Sequence, residues 1–155
     1  MERREDESKG RFAGGYRVRL TRGWQENVGK TLYRGMQATP DGKLALGPSA
    51  RTLGARPHID IPVDSSGSVH PGTGGMSVAP DTPSNMPRHR RPPEHEGTGK
   101  DPLWSIQERA LGIHLRYVAD AVPVPIHGVI EPTTSMTFTA YQQALAQTAP
   151  YWGRG

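Results

Sequence analysis

The sequence predicts a small α+β domain built mostly from short antiparallel strands joined by long loops. Several short stretches alternate apolar and polar residues, and a single stretch near the C-terminus has helical spacing. The 155 residues include 19 glycines and 15 prolines, and 34% of them are hydrophobic, enough for a modest core. We expect one domain over residues 1–155, in which residues 1–15 form a mobile charged tail.

Three strands are predicted in the first half of the chain. Tyr16–Leu20 alternates Tyr, Arg, Val, Arg and Leu, and Lys30–Met36 (KTLYRGM) is rich in strand-forming residues. A tight turn at Asp41–Gly42 follows. His58–Val63 (HIDIPV) alternates again, and Pro62 within it favours an edge position, because proline cannot donate to a neighbouring strand.

The second half predicts three further strands around a long loop. Gly75–Ala79 is a short strand, and residues 80–102 form a loop rich in proline. Strands are also expected at His114–Val118 and Ile126–Glu131. No internal repeat is present.

The segment around Trp104–Ile106 has two interpretations. Asp101 and Pro102 are suited to the N-cap and first turn of a helix, which Gly112 would then end. A short strand at LWSI is equally consistent with the sequence. Both interpretations stay open at this point.

One helix is predicted over Ser135–Thr148. Thr134 or Ser135 is suited to cap its N-terminus. Large apolar residues recur there at i, i+3 and i+7 and define a buried face, namely Phe138, Tyr141 and Leu145.

Composition excludes several classes of protein. The chain has no cysteine, which excludes disulfides and thiolate chemistry, and its charged N-terminus lacks the apolar core of a signal peptide. No apolar run is long enough to span a membrane. We expect a protein that acts in a cytoplasm. Its 19 basic and 15 acidic residues are compatible with an anionic ligand or nucleic acid without requiring either.

Two glycine-lysine motifs fail the criteria for phosphate-binding loops. In GWQENVGKT, residues 23–31, five residues separate the first glycine from the Gly-Lys pair, where a Walker A loop has four. In GTGK, residues 97–100, the lysine is followed by aspartate rather than serine or threonine.

The proline-rich loop also fails as a metal site. His89 and His95 lie near Glu94 and Glu96, but the prolines between the histidines prevent a helix that would place them on one face. No metal is expected. The neighbouring RHRR run, Arg88–Arg91, can contact phosphates of nucleic acid, although no aromatic residue between Tyr33 and Trp104 is available to stack on bases. The long loop is also predicted to be a binding loop, in which Arg88, Arg90 and Arg91 present positive charge to a dinucleotide phosphate or to a target.

Three short motifs combine into a more specific pattern. They are LYRG at 32–35, TGGMSV at 73–78 and HGVIEP at 127–132. An aromatic-Arg-Gly strand, a serine-bearing strand and a late strand with a polar residue follow one another in ADP-ribosyltransferases. More specifically, the chain resembles the effector toxins of bacterial type VI secretion that have an ADP-ribosyltransferase-like fold, with LYR, GG-x-SV and H-x-x-I-x-P followed by methionine.

The resemblance implies a toxin that acts in a cytoplasm, uses NAD as its substrate, modifies an unknown macromolecule and has a cognate immunity protein. It carries catalytic roles over to Arg34, Ser77 and His127. Glu131 offers the carboxylate that mainstream transferases use, although the proline after it is unusual. The family has a threonine where this chain has Met76, so Ser77 alone carries over from that pair.

The chemistry suits these residue types. Cleavage of the nicotinamide bond passes through a ribose that bears positive charge, which a carboxylate stabilises. His127 and Glu131 lie four residues apart on one face of a strand, about 13 Å along it, so they can line one cleft without touching the same atom.

Cofactor-binding roles are expected for five residues. Arg34 suits the pyrophosphate or the ribose in forked geometry, or forms a structural ion pair instead. Tyr33 is part of the core or stacks on nicotinamide. Ser77 positions a ribose hydroxyl or supports the carboxylate. The glycines Gly74 and Gly75 let the backbone approach a ligand closely, or they only form a turn.

Two other functions are consistent with parts of the sequence. The first is a basic, non-enzymatic protein that binds nucleic acid or a protein partner through the Arg88–Arg91 loop. The second is a ribonuclease toxin that uses His127 and Glu131 as base and acid, which leaves LYRG and GGMSV unexplained. No membrane partner is expected.

Overall fold

The computed structural model describes residues 29–120 and 126–155. The predicted tail, the strand Tyr16–Leu20 and most of the GWQENVGKT segment lie outside the described residues. Within them the regular structure comprises eight strands and one α-helix: β1 Thr31–Gly35, β2 Ser68–Val69, β3 Met76–Pro80, β4 Leu103–Gln107, β5 Leu115–Ala119, β6 Gly128–Pro132, β7 Met136–Thr137, β8 Gly153–Arg154 and α1 Phe138–Gln147.

Six of these strands form one antiparallel sheet in the order β5-β6-β3-β1-β4-β8, and β2 pairs with β7 in a separate two-stranded sheet. The predicted α+β class is confirmed. Four predicted strands correspond to β1, β3, β5 and β6, with ends that differ by one or two residues. The three two-residue strands β2, β7 and β8 are too short for a period of two to reveal them in the sequence.

The sheet splits between β1 and β3. The amino-terminal half of β3 pairs with β6 through Met76, Ser77 and Val78. Its carboxyl-terminal half pairs with β1, at Leu32↔Pro80 and Tyr33↔Ala79. Beyond those pairs β1 continues to pair with β4 as far as Gly35. A strand that changes partner midway leaves an opening beside the second half of β1.

Side chains of successive residues on β1 serve two clusters. Leu32 is fully buried in the larger core, which also contains Tyr141 and Leu145 of α1 and Trp104 of β4. Tyr33 points to the opposite face and packs against a smaller cluster of Ala79, Met86 and Leu103. This alternation is the period of two that the sequence predicted for the strand.

The prediction of a strand at His58–Val63 is wrong. The segment forms a turn, in which His58 has a φ of 67° and only an isolated bridge joins Pro57 to Ile61. The Asp60 carboxylate accepts hydrogen bonds from the Arg56 backbone N–H at 2.7 Å and from its Nε at 3.0 Å. These bonds close the chain on itself and leave no ladder for a strand.

The two interpretations of the Trp104 segment are resolved in favour of the strand. Leu103–Gln107 forms β4 and pairs with β1 along five residues. Asp101 does not cap a helix, because its carboxylate is engaged by Arg51. The loop over residues 80–102 is confirmed and contains two short 3₁₀ turns, Pro83–Asn85 and Pro93–His95.

The predicted helix is confirmed, but its cap is Thr137 rather than Thr134 or Ser135. The Thr137 hydroxyl accepts a hydrogen bond from the Ala140 N–H at 3.0 Å. Ser135 instead contacts His70, with 2.7 Å between Oγ and Nδ1, at the end of the β2–β7 pair.

A hydroxyl of α1 joins the helix to the sheet. The Tyr141 hydroxyl accepts from the Met76 N–H at 3.0 Å and donates to the Ile130 carbonyl at 2.6 Å, so it sits between β3 and β6.

The predicted turn at Asp41–Gly42 is confirmed, with Gly42 at a φ of 83° and a bridge between Ala38 and Leu44. In the described part of the chain no helix has the length and apolarity that a membrane span needs.

Candidate functional site

A cavity of about 440 Å³ opens at the split between β1 and β3. Its volume falls in the range of small-molecule sites. Basic groups dominate its wall, which is formed by four arginines, two histidines, one carboxylate and smaller residues: Arg34, Arg51, Arg56, Arg90, His89, His127, Asp60, Tyr33, Gly35, Ala50, Ser77, Val78, Ala79, Met86 and Pro87. Four residues that the motifs predicted, Tyr33, Arg34, Ser77 and His127, therefore meet in one cavity.

Arg34 spans the split as a brace. Its Nη1 donates to the Ser77 carbonyl on β3 at 2.8 Å. Its Nε and Nη2 donate to carbonyls of the segment that follows β1, including Thr52 at 3.3 and 3.0 Å and Ser49 at 3.1 Å. Within the described residues no carboxylate lies in ion-pair distance of this guanidinium, so the structural ion pair that the sequence left open is replaced by carbonyl contacts.

The Arg34 charge is nevertheless costly to bury. The side chain is 7% exposed. Burial, followed by the positive charge of Arg90, lowers the pKa of Arg34 to about 10, still far above neutral pH. A buried cation without an acidic partner is stabilised by an anion that enters its cavity.

Ser77 and Tyr33 present free hydroxyl groups. Ser77 is half-buried on β3, opposite Val129 of β6. Tyr33 is half-buried on β1. Within the described part of the chain neither hydroxyl has a hydrogen-bond partner, and both residues line the cavity. Both hydroxyls can therefore donate to or accept from a ligand.

His127 lies just before β6 and is paired with a carboxylate. Its Nδ1 is 2.5 Å from Asp120 Oδ2. Because a carboxylate accepts, the proton lies on Nδ1 and the Nε2 lone pair is available. Asp120 was not predicted from the sequence, and no spacing signal connects it to His127.

Glu131 lies outside the cavity lining. It is 2% exposed. Its Oε1 accepts from the Gly72 N–H at 2.9 Å and its Oε2 from Arg116 Nε at 2.7 Å. This carboxylate fixes the turn that precedes β3 and holds Arg116 against β6.

Gly74 and Gly75 also lie outside the lining. A Cβ on Gly74 would come within 2.4 Å of the Asp60 carbonyl, and one on Gly75 within 2.3 Å of the Ile130 carbonyl. The two glycines therefore permit close packing of backbone against backbone.

The carboxylate that does line the cavity is that of Asp60. Burial raises its pKa, but hydrogen bonds and charge from Arg56 lower it by more, so the group is ionised. Arg56 Nη2 lies 2.8 Å from Asp60 Oδ1. The acidic residue four positions after an arginine was visible in the sequence, but nothing there distinguished it from an ordinary surface pair.

The RHRR run does not form one continuous patch. His89 and Arg90 line the cavity. Arg91 turns back and donates from Nη1 to the His95 carbonyl at 3.2 Å. Arg88 is exposed and takes no part in the lining.

No cluster of three or more His, Asp or Glu side chains suited to a metal ion occurs among residues 29–120 and 126–155. The arrangement as a whole offers positive charge for phosphate, free hydroxyls, an imidazole and one carboxylate. Such a site can hold an anionic nucleotide and act on its sugar.

Comparison with known proteins identifies a family. The family model described as "Tse2 ADP-ribosyltransferase toxin" matches residues 30–152. No curated protein and no solved structure is significantly similar to the chain.

Proposed function

The chain belongs to the Tse2 ADP-ribosyltransferase toxin family, and from that premise we propose that it cleaves the bond between nicotinamide and ribose in NAD+ and transfers the ADP-ribose to a macromolecule. The observation that supports this most is the meeting of Tyr33, Arg34, Ser77 and His127 in one cavity at the split of the sheet. These residues come from motifs far apart in the sequence.

The reaction breaks the bond between ribose C1′ and the nicotinamide nitrogen. Nicotinamide leaves with the bonding electron pair as a neutral molecule, and positive charge develops at C1′. A nucleophile of the target then bonds to C1′ and loses a proton to a base. Negative and hydrogen-bonding groups around the ribose lower the barrier.

Ser77 contributes the hydroxyl that orients the ribose. It has no partner within the described residues, and its own carbonyl is fixed by Arg34 at 2.8 Å. Arg34 thus acts on the substrate through the strand that it braces, in addition to its positive charge.

His127 serves as the base. Asp120 holds the Nδ1 side of the ring at 2.5 Å and leaves Nε2 to accept the proton of the target nucleophile. This pairing follows the general logic in which a carboxylate orients a histidine.

The carboxylates divide their roles. Glu131 acts as a positioning residue through Gly72 and β3, 2.9 Å from the Gly72 N–H. Asp60 is the carboxylate that lines the cavity, where Arg56 holds it.

The two competing functions fit the geometry less well. A binding protein that used the RHRR run would present its arginines together, whereas Arg88, Arg90 and Arg91 diverge. A ribonuclease with His127 and Glu131 as base and acid would need both in one site, and Glu131 lies outside the cavity lining.

Delivery and partners complete the proposal. The toxin acts in a bacterial cytoplasm after delivery by type VI secretion, and the producing cell is protected by a cognate immunity protein. Both are what membership in an effector family supports.

The experiment measures nicotinamide release from NAD+ and transfer of labelled ADP-ribose in a bacterial lysate. Wild type should label a discrete target. Ser77→Ala and His127→Gln should reduce the rate by about 10²-fold or more. Ser84→Ala, which replaces an exposed serine in the proline-rich loop after β3, is the matched control and should leave the rate unchanged.

Labelling that is equal in wild type and both variants would overturn the assigned roles. Absence of both nicotinamide release and labelling, with folded wild type, would overturn the function itself. Salt-sensitive capture of nucleic acid or protein would then point to the arginine-bearing loop.

A further inference from the structure

The arginines of the cavity differ in how their charges are compensated. Arg56 is paired with Asp60, at 2.8 Å between Nη2 and Oδ1. Arg51 makes a forked contact with Asp101, at 2.8 Å from Nε to Oδ2 and 2.6 Å from Nη2 to Oδ1. Each of these pairs is close to neutral, so they contribute little net charge to the cavity.

Arg90 has only a long ion pair, with the carboxylate that Arg51 already engages. Its Nη2 donates to the Ala50 carbonyl, and its Nη1 is 4.0 Å from Asp101 Oδ2, beyond hydrogen-bond distance. Both oxygens of Asp101 are already taken by Arg51. Within the described residues, Nε and Nη1 of Arg90 therefore retain unused donors, and the side chain is 25% exposed.

Among the described residues Arg34 has no carboxylate within ion-pair distance, and its donors are engaged differently from those of Arg90. All three of its nitrogens donate to backbone carbonyls, in five hydrogen bonds. Its charge can attract an anion, but few of its N–H groups remain to donate hydrogen bonds to one. Arg90 retains that capacity.

Two like charges thus face one cavity. The charge of Arg90 is the second-largest cause, after burial, of the lowered pKa of Arg34. A ligand with a negative charge on each of two adjacent phosphates would relieve this repulsion and use the free donors of Arg90.

We propose that Arg90 is the residue that binds the pyrophosphate of NAD+ in this cavity, and that Asp101 is the positioning residue that keeps Arg51 and Arg90 beside each other. The proposal rests on the proposed function for its ligand. It divides the work of the two cationic groups, with Arg34 bracing the split and Arg90 holding phosphate.

The loop backbone holds Arg90 in place before any ligand arrives. The Arg90 N–H donates to the Pro87 carbonyl at 2.9 Å, and two bonds close the base of the loop, from Thr98 N–H to the Arg88 carbonyl at 2.9 Å and from Gly99 N–H to the Arg91 carbonyl at 2.7 Å. A Cβ on Gly99 would lie 2.7 Å from the Arg90 carbonyl, so the two arms of the loop pack closely. Because the loop is already ordered, less conformational entropy is lost when a ligand binds to Arg90.

Arg88 provides the matched control. It lies in the same loop, two residues from Arg90, is exposed, and takes no part in the cavity lining. Its replacement removes the same charge from the protein without removing it from the cavity.

The experiment measures the Kd of ADP by calorimetry, which requires no turnover, in wild type, Arg90→Ala and Arg88→Ala. Loss of charge-assisted hydrogen bonds should weaken ADP binding by about 10- to 100-fold in Arg90→Ala. Arg88→Ala should bind within about two-fold of wild type. Asp101→Asn should weaken binding less than Arg90→Ala. In turnover assays Arg90→Ala should raise the KM for NAD+ more than it lowers kcat.

Unchanged ADP binding in folded Arg90→Ala, or equal losses in Arg90→Ala and Arg88→Ala, would overturn the proposal. Arg90→Gln, which keeps a donor for the Ala50 carbonyl, replaces Arg90→Ala if the latter fails to fold. Arg90-dependent ADP binding without nicotinamide release would retain this site while removing the proposed function. Nicotinamide release by Arg90→Ala with an unchanged KM for NAD+ would retain the proposed function while overturning the role of Arg90.

Discussion

Arg34, a residue of the LYRG motif, connects the two sides of the split. Its guanidinium donates to carbonyls on both sides of the split, among them Ser77 at 2.8 Å and Thr52 at 3.0 Å. Loss of one partner from a buried network leaves the other partners without their bonds.

Arg34→Met should therefore lower the free energy of unfolding by about 3 kcal/mol, because several buried carbonyls lose their donor. Urea unfolding monitored by circular dichroism measures this change. Arg88→Met is the control and should change the free energy by less than about 0.5 kcal/mol. A loss in Arg34→Met no larger than in the control would show that the brace contributes little.

Asp60 should make stability sensitive to acid. Burial raises its pKa, and the bonds from Arg56 lower it by more, so the folded-state pKa lies below the unfolded one. A group of this kind stabilises the fold at pH values above its unfolded pKa, and the contribution disappears as pH falls through the folded pKa.

Between about pH 4 and about pH 2 wild type should lose stability more steeply than Asp60→Asn. Urea unfolding at a series of pH values measures both slopes. Glu94→Gln, an exposed carboxylate, should retain the wild-type slope. Parallel curves for wild type and Asp60→Asn would contradict the assignment.

The residues of the site were only partly predictable from sequence. Tyr33, Arg34, Ser77 and His127 were predicted because motif order is visible in one dimension. Arg90 was predicted only as one of three arginines in a binding loop, and Asp60 was not predicted. Both line the same cavity because a loop and a turn fold back onto the split. No local sequence pattern predicts that these segments return to the split.

At the scale of elements, alternation predicted β1, β3, β5 and β6, where one face of a strand is buried. It failed at His58–Val63, where the same alternation arises in a turn closed by Asp60. The two-residue strands have no period to detect. The helix was recognisable from Phe138, Tyr141 and Leu145, but its cap was displaced by two or three residues.

Thr137→Ala tests the observed cap. Removal of the hydroxyl that accepts from the Ala140 N–H should lower the free energy of unfolding by about 1 kcal/mol. Thermal and urea unfolding measure it. Thr134→Ala, at a position the sequence also favoured, should be close to neutral, and a larger effect there than at Thr137 would reverse the assignment.

For the whole molecule, the strand order β5-β6-β3-β1-β4-β8 was not predictable, because it depends on contacts between distant segments. Those contacts also unite the core. Trp104 of β4 and Trp152 near the C-terminus belong to one cluster with residues of β1 and α1. Because this larger cluster joins residues of the sheet and the helix, we expect those elements to unfold cooperatively.

In a Trp24→Phe background, which leaves Trp104 and Trp152 as fluorescent reporters, the fluorescence and far-ultraviolet circular dichroism transitions should coincide. The Trp24 position lies outside the described residues. Midpoints that differ beyond error would show that the sheet and the helix unfold separately.

The split that Arg34 spans also determines when the cavity can form during synthesis of the chain. Its walls come from residues 33 and 127, nearly a hundred positions apart, so loop closure over most of the chain precedes completion of the site. A nascent chain that ends before β6 lacks His127 and the strand that anchors Ser77. The cavity can therefore be completed only after β6 has been synthesised.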